Sequence, residues 1–226
     1  FLRSIGLHIY GTMESHMEGD SCFFLLPNGS SVVLGYGSRA DRDAAQELKR
    51  LFKKPVHALR LREDCFHLDL VGASLASKEP TVLFNRNSLA KRSNRWRPDE
   101  GWRILQDAVR MDGSDLIEMS DEDAANAVAN SRDINGMLLA PPGDISESLL
   151  QELTVRRNYM RYPVHLEELL ENGGGFTGCV SNPLTLAFQG REIPREYSWE
   201  VWRRTAMAML SKYPTRVPPK TLNAVK

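Results

Sequence analysis

The stretch SCFFLLPNGSSVVLGY, from Ser21 to Tyr36, contains two β-forming runs separated by Pro27-Asn28-Gly29-Ser30. Asn-Gly between such runs is typical of a hairpin, because both residues tolerate a positive φ. Apolar residues then recur at helical spacing between Asp41 and Lys53, and Pro55 ends the predicted helix. Residues 56–61 alternate between apolar and polar like a strand. The predicted unit is therefore a β-hairpin followed by a helix and a third strand.

The same order of elements recurs twice further along the chain. The second round has predicted strands at 67–74 and 81–84, a helix at 99–110 and a strand at 115–119. The third has predicted strands at 124–128 and 137–140, a helix at 145–156 and a strand at 159–164. Rounds spaced by about 50 residues predict an α+β fold of repeated ββαβ units, in which no unit buries its apolar face alone.

Composition excludes several classes of protein. The chain has 226 residues, of which 42% are hydrophobic, and its 29 basic and 29 acidic residues cancel. It therefore lacks the basic surplus of a nucleic-acid-binding domain, and no run approaches the roughly 18 apolar residues of a membrane span. Three cysteines, an odd number, disfavour a disulfide framework and favour a reducing compartment, the cytoplasm or the mitochondrion. The start at Phe1, without Met, is typical of a trimmed or partial chain.

The character of the sequence changes near residue 188. We expect residues 1–188 to form the repeat domain and residues 189–226 a helical extension, because residues 191–226 hold eight basic and three acidic side chains. Ser198 is a candidate cap for an amphipathic helix that carries Trp199 and Trp202 on one face. Such a helix either packs on its own domain or binds a protein partner, and the basic surplus would favour an acidic partner or RNA.

Cys179 is the first candidate for chemistry. It follows the run Gly173-Gly174-Gly175-Phe176-Thr177-Gly178, whose glycines let a ligand approach the backbone closely. A nucleophilic cysteine needs that access, together with a positive group that favours the thiolate. The alternative is a loop before an ordinary buried cysteine.

The run Cys65-Phe66-His67-Leu68-Asp69-Leu70 is the second candidate, because its alternation predicts a strand with Cys65, His67 and Asp69 on one face. A histidine and a carboxylate on that face would form an acid–base and cation-binding pair. The alternatives are a solvent-facing strand face or a zinc cluster. No further ligands at metal-type spacing accompany the run, so we expect no metal.

A second alternation precedes the hairpin, with Glu14, His16, Glu18 and Asp20 at every other position. It is compatible with a charged edge strand and equally with acidic groups arranged around a cationic substrate. The pattern alone leaves both interpretations open.

Five segments in one order resemble the guanidino-group-modifying superfamily, which includes arginine deiminase, dimethylarginine dimethylaminohydrolase and the amidinotransferases. They are Met17-Glu18-Gly19-Asp20, Gly35-Tyr36-Gly37-Ser38-Arg39, Cys65-Phe66-His67-Leu68-Asp69, Asp123-Ala124-Ala125-Asn126 and the glycine run ending in Cys179. The resemblance covers about residues 14 to 186. It implies the five-bladed ββαβ propeller called a pentein, here incomplete at the N-terminus.

The resemblance also implies roles for individual residues. Cys179 would attack the guanidinium carbon and form a covalent intermediate. His67 would protonate the departing amine and then activate the incoming water or amine. Asp69 would hold guanidinium N–H groups through paired, charge-assisted hydrogen bonds. The remaining implied substrate-binding residues are Glu18, Asp20 and Arg39, and the family mechanism implies no cofactor.

Departures from the family pattern leave two functions open. If Asp20 is matched to the family aspartate, Met17 takes the position of the substrate-binding glutamate, and Glu18 matches only when one glycine is deleted. The first function is an enzyme acting on arginine or a substituted arginine, as a hydrolase in preference to an amidinotransferase. The alternative is a catalytically reduced member that serves as a structural subunit of a larger assembly, such as a mitochondrial one, and binds its partner through the extension.

Overall fold

The computed structural model describes residues 13–90, 99–140 and 144–163. Cys179, the glycine run before it, the boundary at residue 188 and the extension at 189–226 lie outside the described residues. The predictions about those parts of the chain therefore stay predictions.

The first unit has the predicted order of elements. Strand β1 (Phe23–Leu25) pairs antiparallel with β2 (Val32–Tyr36), and helix α1 (Ala44–Phe52) leads to β3 (Val56–Arg60), which pairs parallel with β2. Gly29 in the hairpin turn has a φ of +72°, a conformation that favours glycine. The hairpin prediction is therefore confirmed.

The next two units repeat this topology. The second unit consists of β4 (Gly72–Leu75), β5 (Thr81–Phe84), α2 (Asp99–Asp112) and β6 (Asp115–Glu118). A short helix α3 (Asp121–Ala125) precedes β7 (Arg132–Ile134), β8 (Met137–Ala140), α4 (Glu147–Gln151) with a π-helical turn (Glu152–Arg156), and β9 (Met160–Pro163). Each sheet joins an antiparallel hairpin to a parallel third strand, so the predicted ββαβ repeat and α+β class are confirmed. Three units lie within the described residues, and five-bladed closure stays a prediction.

One predicted strand, at residues 124–128, is wrong. Helix α3 covers its first part, and the hairpin strand of the third unit is β7 instead. The Ser120 hydroxyl accepts a hydrogen bond from the Asp123 backbone N–H, and three acidic residues follow Ser120 in the first turn. A capping serine and early acidic residues both favour a helix start, and they outweigh the short apolar run.

Helices and sheets alternate along the repeat. Helix α2 contacts β3 of the first sheet and β6 of the second. One core joins its Trp102 and Leu105 to Val33 of the first sheet and Phe84 of the second. A second core joins Leu149 of α4 to residues of the second and third sheets. Within the described residues, no helix is long and apolar enough to cross a membrane.

Asp112, at the end of α2, ties the second unit to the hairpin of the first. Its two carboxylate oxygens accept hydrogen bonds from the backbone N–H groups of Asn28 and Ser30, both at 3.0 Å, and one also accepts from the Ser114 hydroxyl. Burial alone would raise the pKa of Asp112, but the hydrogen bonds from Ser114, Ser30 and Asn28 outweigh it and hold the pKa below its ordinary value. The ionised carboxylate therefore stabilises the contact between units.

We predict that Asp112→Ala lowers the free energy of unfolding by about 2 kcal/mol at neutral pH, because a charged acceptor is lost. A carboxylate with a lowered folded-state pKa contributes stability above its unfolded pKa of about 4, and that contribution is lost as the pH falls through the folded-state value. The difference between variant and wild type should therefore shrink below about pH 4, as measured by urea unfolding. Asp107→Ala is the control, since the Asp107 side chain is 48% exposed and its carboxylate pairs with Arg110 on the surface of α2, a kind of pair that contributes little stability. An equal loss in both variants would contradict the prediction.

Candidate active site

The Glu18 carboxylate joins two other predicted site residues. One oxygen, Oε2, lies 2.9 Å from His67 Nε2, and the other, Oε1, accepts a hydrogen bond from Arg39 Nη1 at 3.0 Å. The Glu18 backbone N–H donates to the Arg39 carbonyl at 3.1 Å, so the two segments run side by side. Glu18, Arg39 and His67, which the resemblance implied and which come from three separate segments, therefore contact one another through the Glu18 carboxylate.

The structure distinguishes Met17 from Glu18. Met17 forms an antiparallel bridge with Ala40 and packs, partly buried, against the core of the first unit. Since successive side chains of an extended segment point in opposite directions, Glu18 points away from that core and reaches His67. The position beside the histidine thus belongs to the carboxylate and not to the thioether.

His67 lies on a loop, so the strand predicted for residues 65–70 is wrong. Residues 65–67 form no regular element, Leu68–Leu70 form a 3₁₀ turn, and β4 begins only at Gly72. Leu68 is buried because Gly35 of β2 leaves room for it: a Cβ at Gly35 would lie 2.9 Å from Leu68 Cβ and 2.8 Å from Leu61 Cδ1. A loop that buries one leucine between polar neighbours shows the same alternation as a strand.

Asp69 occupies the same 3₁₀ turn, which contacts the turn Gly19–Cys22. Its backbone carbonyl accepts a hydrogen bond from Asn130 Nδ2 at 3.5 Å. Burial raises the pKa of the Cys22 thiol, and the negative charges of Glu18 and Asp69 raise it further. Both carboxylates therefore lie near the same buried sulfur. The Asp20 backbone belongs to the turn Gly19–Cys22, but its side chain lies outside what the structure describes.

The charge of Glu18 is stabilised by its two partners. Its hydrogen bond with His67 lowers its pKa most, burial opposes this, and the hydrogen bond from Arg39 lowers the pKa further. An ionised carboxylate in this position can orient an imidazole and bind a guanidinium, and in this structure it already binds that of Arg39. Among residues 13–90, 99–140 and 144–163, no group of three or more His, Cys, Asp and Glu side chains is arranged to hold a metal ion.

Phe66 contacts the candidate site but was not among the residues predicted from the sequence. The Arg39 guanidinium carbon lies 5.4 Å from the centroid of the Phe66 ring, a cation–π arrangement, and the ring is 54% exposed. In the predicted strand, alternation places Phe66 with Leu68 on the face opposite Cys65, His67 and Asp69. The available signal was its position next to His67, since an exposed aromatic beside a candidate catalytic histidine is a candidate ligand contact.

Asp123, from the segment that resembles the superfamily, has a structural role here. Its carboxylate accepts hydrogen bonds from the hydroxyls of Ser120 and Ser146, at 2.7 and 2.9 Å, and from the Ser146 backbone N–H at 2.7 Å. Ser120 caps α3 and Ser146 caps α4, so one buried carboxylate links two helix starts. None of these contacts involves Glu18, Arg39 or His67.

We predict that Gly35→Ala destabilises the protein by about 1–3 kcal/mol, because the added methyl group overlaps Leu61 and Leu68. Since Leu68 lies between His67 and Asp69, backbone hydrogen exchange of residues 65–71 should also accelerate. Gly101→Ala in α2 is the control, because its Cβ would first meet Leu89 at 3.4 Å and alanine favours a helix. Unchanged exchange at residues 65–71 in Gly35→Ala would contradict the role given to this contact.

Comparison with known proteins gives similarity of structure without close similarity of sequence. No family model matches the chain, and no curated protein matches it. The substrate-bound N-terminal domain of ArgZ, an arginine dihydrolase from the ornithine–ammonia cycle in cyanobacteria, has a TM-score of 0.63 and 20% identity. That match covers 78% of this chain and 60% of the ArgZ domain.

AgrE is similar to the same extent. A cysteine-to-alanine mutant of AgrE with L-arginine has a TM-score of 0.64 and 22% identity, and the match covers 78% of this chain and 24% of AgrE. The ternary complex of AgrE with ornithine and NAD+ has a TM-score of 0.62 and 23% identity, with the same coverage. This chain thus spans less than two thirds of the proteins it matches. The ββαβ repeat and these matches together confirm the resemblance at the level of the fold: this chain has the fold of the guanidino-group-modifying, or pentein, superfamily.

Proposed function

We propose that this protein hydrolyses the guanidino group of arginine or of a substituted arginine. The observation that carries the proposal is the Glu18 carboxylate. One of its oxygens accepts a hydrogen bond from the guanidinium of Arg39, and the other lies 2.9 Å from Nε2 of the His67 imidazole. A guanidinium-binding acid beside an acid–base group is the combination that this chemistry needs. The similar structures include an arginine dihydrolase with its substrate and AgrE with L-arginine, which supports arginine as the substrate class.

Cys179 is the proposed nucleophile. The chain has three cysteines, and burial raises the pKa of both Cys22 and Cys65. Those two thiols are therefore protonated at neutral pH and poorly reactive, whereas Cys179 follows a glycine run that permits close approach of a ligand. ArgZ has been solved covalently bound to a reaction intermediate, which supports a covalent route for this chain as well.

The proposed reaction proceeds in two steps. In the first, the Cys179 thiolate forms an S–C bond with the guanidinium carbon, a C–N bond breaks, and His67 gives its proton to the departing ammonia or methylamine. In the second, neutral His67 takes a proton from water while the water oxygen attacks the same carbon. The C–S bond then breaks, which returns the thiolate and leaves a ureido product. An amine in place of water would give amidino transfer by the same chemistry.

Substrate binding is assigned to the charged groups around His67. We propose that Glu18, Asp20 and Asp69 hold the guanidinium and that Arg39 binds the substrate carboxylate. Because Arg39 already donates to Glu18 Oε1, a substrate guanidinium must share that oxygen or displace the Arg39 side chain. The Phe66 ring would keep Arg39 near the site in either case.

We predict that the full-length protein releases ammonia and a ureido product from L-arginine or dimethylarginine. Cys179→Ser should abolish turnover, and His67→Asn should lower kcat by about 10²–10⁴-fold, the usual contribution of a general acid–base group. Glu18→Gln should raise KM and lower kcat, since it weakens guanidinium binding and the orientation of His67. Cys65→Ser is the control that should retain activity.

Labelling with a haloacetamidine gives an independent measurement in the same experiment. The reagent should modify Cys179 and spare Cys22 and Cys65, whose pKa values are raised by burial. Absence of any product, together with an unlabelled Cys179, would refute the enzymatic function.

The alternative function is a catalytically reduced, structural subunit. The observation that favours it is the ion pair between Arg39 and Glu18, which occupies an oxygen that a substrate would need. For a subunit we predict that native-size measurements on cell extracts find the chain only within a large complex. A stable free monomer or dimer would contradict this alternative.

A further inference from the structure

The loops that follow β2 and β3 are joined beside the candidate active site. The Leu61 N–H donates a hydrogen bond to the Tyr36 carbonyl at 2.9 Å, and the Ser38 hydroxyl donates to the Glu63 carbonyl at 3.0 Å. Arg39 belongs to the first of these loops, so its backbone is held in place relative to the second. Movement at this point is left to the Arg39 side chain, which is 44% exposed.

The Arg39 guanidinium has two neighbours of different kinds. Its Nη1 donates to Glu18 Oε1 at 3.0 Å, and its carbon lies 5.4 Å from the centroid of the Phe66 ring. Both partners are open to solvent, since the Glu18 side chain is 36% exposed and Phe66 is 54% exposed. An ion pair between exposed side chains contributes little free energy, so a ligand with a guanidinium of its own can replace Arg39 at Glu18. The contact with Phe66 does not involve Glu18 and would remain.

The cost of replacing Arg39 at Glu18 depends on what else the ligand carries. A guanidine without a carboxylate breaks the ion pair between Arg39 and Glu18 and gives Arg39 no new partner. A guanidino acid breaks the same pair, but its carboxylate can accept charge-assisted hydrogen bonds from the released guanidinium. One internal ion pair is then exchanged for two pairs with the ligand. The local charges therefore favour a ligand that has both groups.

We propose that Arg39 is an internal ligand of Glu18 that selects for substrates with a carboxylate. The inference rests on the proposed function, because it assigns the substrate guanidinium to Glu18, and it narrows the substrate class to guanidino acids. Arg39 competes with every guanidinium for Glu18, and it then binds only those ligands that bring a carboxylate. Phe66 is a positioning residue in this exchange, because its ring keeps the released guanidinium beside the site.

Calorimetric titration of the full-length protein tests the inference without any measurement of turnover. The ligands are L-arginine and n-butylguanidine, which has neither the carboxylate nor the amino group but carries the same net charge. The Cys179→Ser background prevents consumption of either ligand. Arg39→Ala should weaken L-arginine binding about 10-fold or more, because the carboxylate loses a charged partner. The same substitution should tighten n-butylguanidine binding about two- to fivefold, because Glu18 is no longer occupied.

Arg62→Ala is the matched control for Arg39→Ala. The Arg62 side chain is 45% exposed and pairs with the exposed Asp64, so its loss removes a similar ion pair that does not involve Glu18. Both affinities should be unchanged in this control. Phe66→Ala should weaken L-arginine several-fold and n-butylguanidine less, and Phe66→Tyr, which keeps an aromatic ring, should restore the affinity. If Arg39→Ala unfolds, Arg39→Gln is measured instead, with the same expected directions.

Each other outcome would overturn the inference. If Arg39→Ala weakens L-arginine and leaves n-butylguanidine unchanged, Arg39 binds a carboxylate but does not compete for Glu18. If Arg62→Ala tightens n-butylguanidine as much as Arg39→Ala does, the effect comes from net charge alone. In both cases turnover of L-arginine by the wild type is untouched, so the proposed function stands. If neither ligand binds to any variant, guanidinium binding at Glu18 is refuted, and the inference falls together with the proposed function.

Discussion

Each three-stranded sheet carries apolar side chains on both faces, but the unit supplies one main helix to cover them. The second face must be covered by the next unit, as α2 covers the first sheet through Trp102 and Leu105. Units with almost no sequence similarity can pack together in this way. Burial of the second face depends on the apolar character and register of its side chains rather than on particular residues. The hydrogen bonds of Asp112 to the first hairpin then fix how the second unit meets the first.

The candidate active site is a consequence of the same requirement. The segment that returns over the first sheet must bury Leu68, which fits against Gly35, and the residues on either side of Leu68 are His67 and Asp69. One apolar contact therefore sets the backbone of two candidate functional residues. On the other side, Met17 packs into the core of the first unit, and the extended chain turns Glu18 toward the histidine. The buried side chains of Leu68 and Met17 thus fix the backbone positions of the neighbouring residues His67, Asp69 and Glu18.

The charges of the site are arranged to keep one carboxylate ionised. Glu18 has a lowered pKa because His67 and Arg39 both hydrogen bond to it, while Cys22 behind it has a raised pKa because it is buried near two negative charges. A thiol in such surroundings is inert, and a guanidinium is attracted to them. The electrostatics therefore suit the binding of a cation, and the proposed nucleophile, Cys179, belongs to another part of the chain.

The sequence by itself determined the ββαβ order of the first two units, since hairpin chemistry at Asn28-Gly29 and the periods of apolar residues are local properties. It also identified Glu18, Arg39 and His67 as candidates through family resemblance. Only the tertiary structure decided that residues 65–70 form a loop and a 3₁₀ turn, because a loop with one buried leucine and a strand share the same alternation. The tertiary structure also decided that Glu18, and not Met17, lies beside His67. The contacts of Glu18 join residues that are 21 positions apart in sequence for Arg39 and 49 for His67. The local period of apolar residues indicates which positions along the chain are buried. The three-dimensional fold decides which side chains those residues contact.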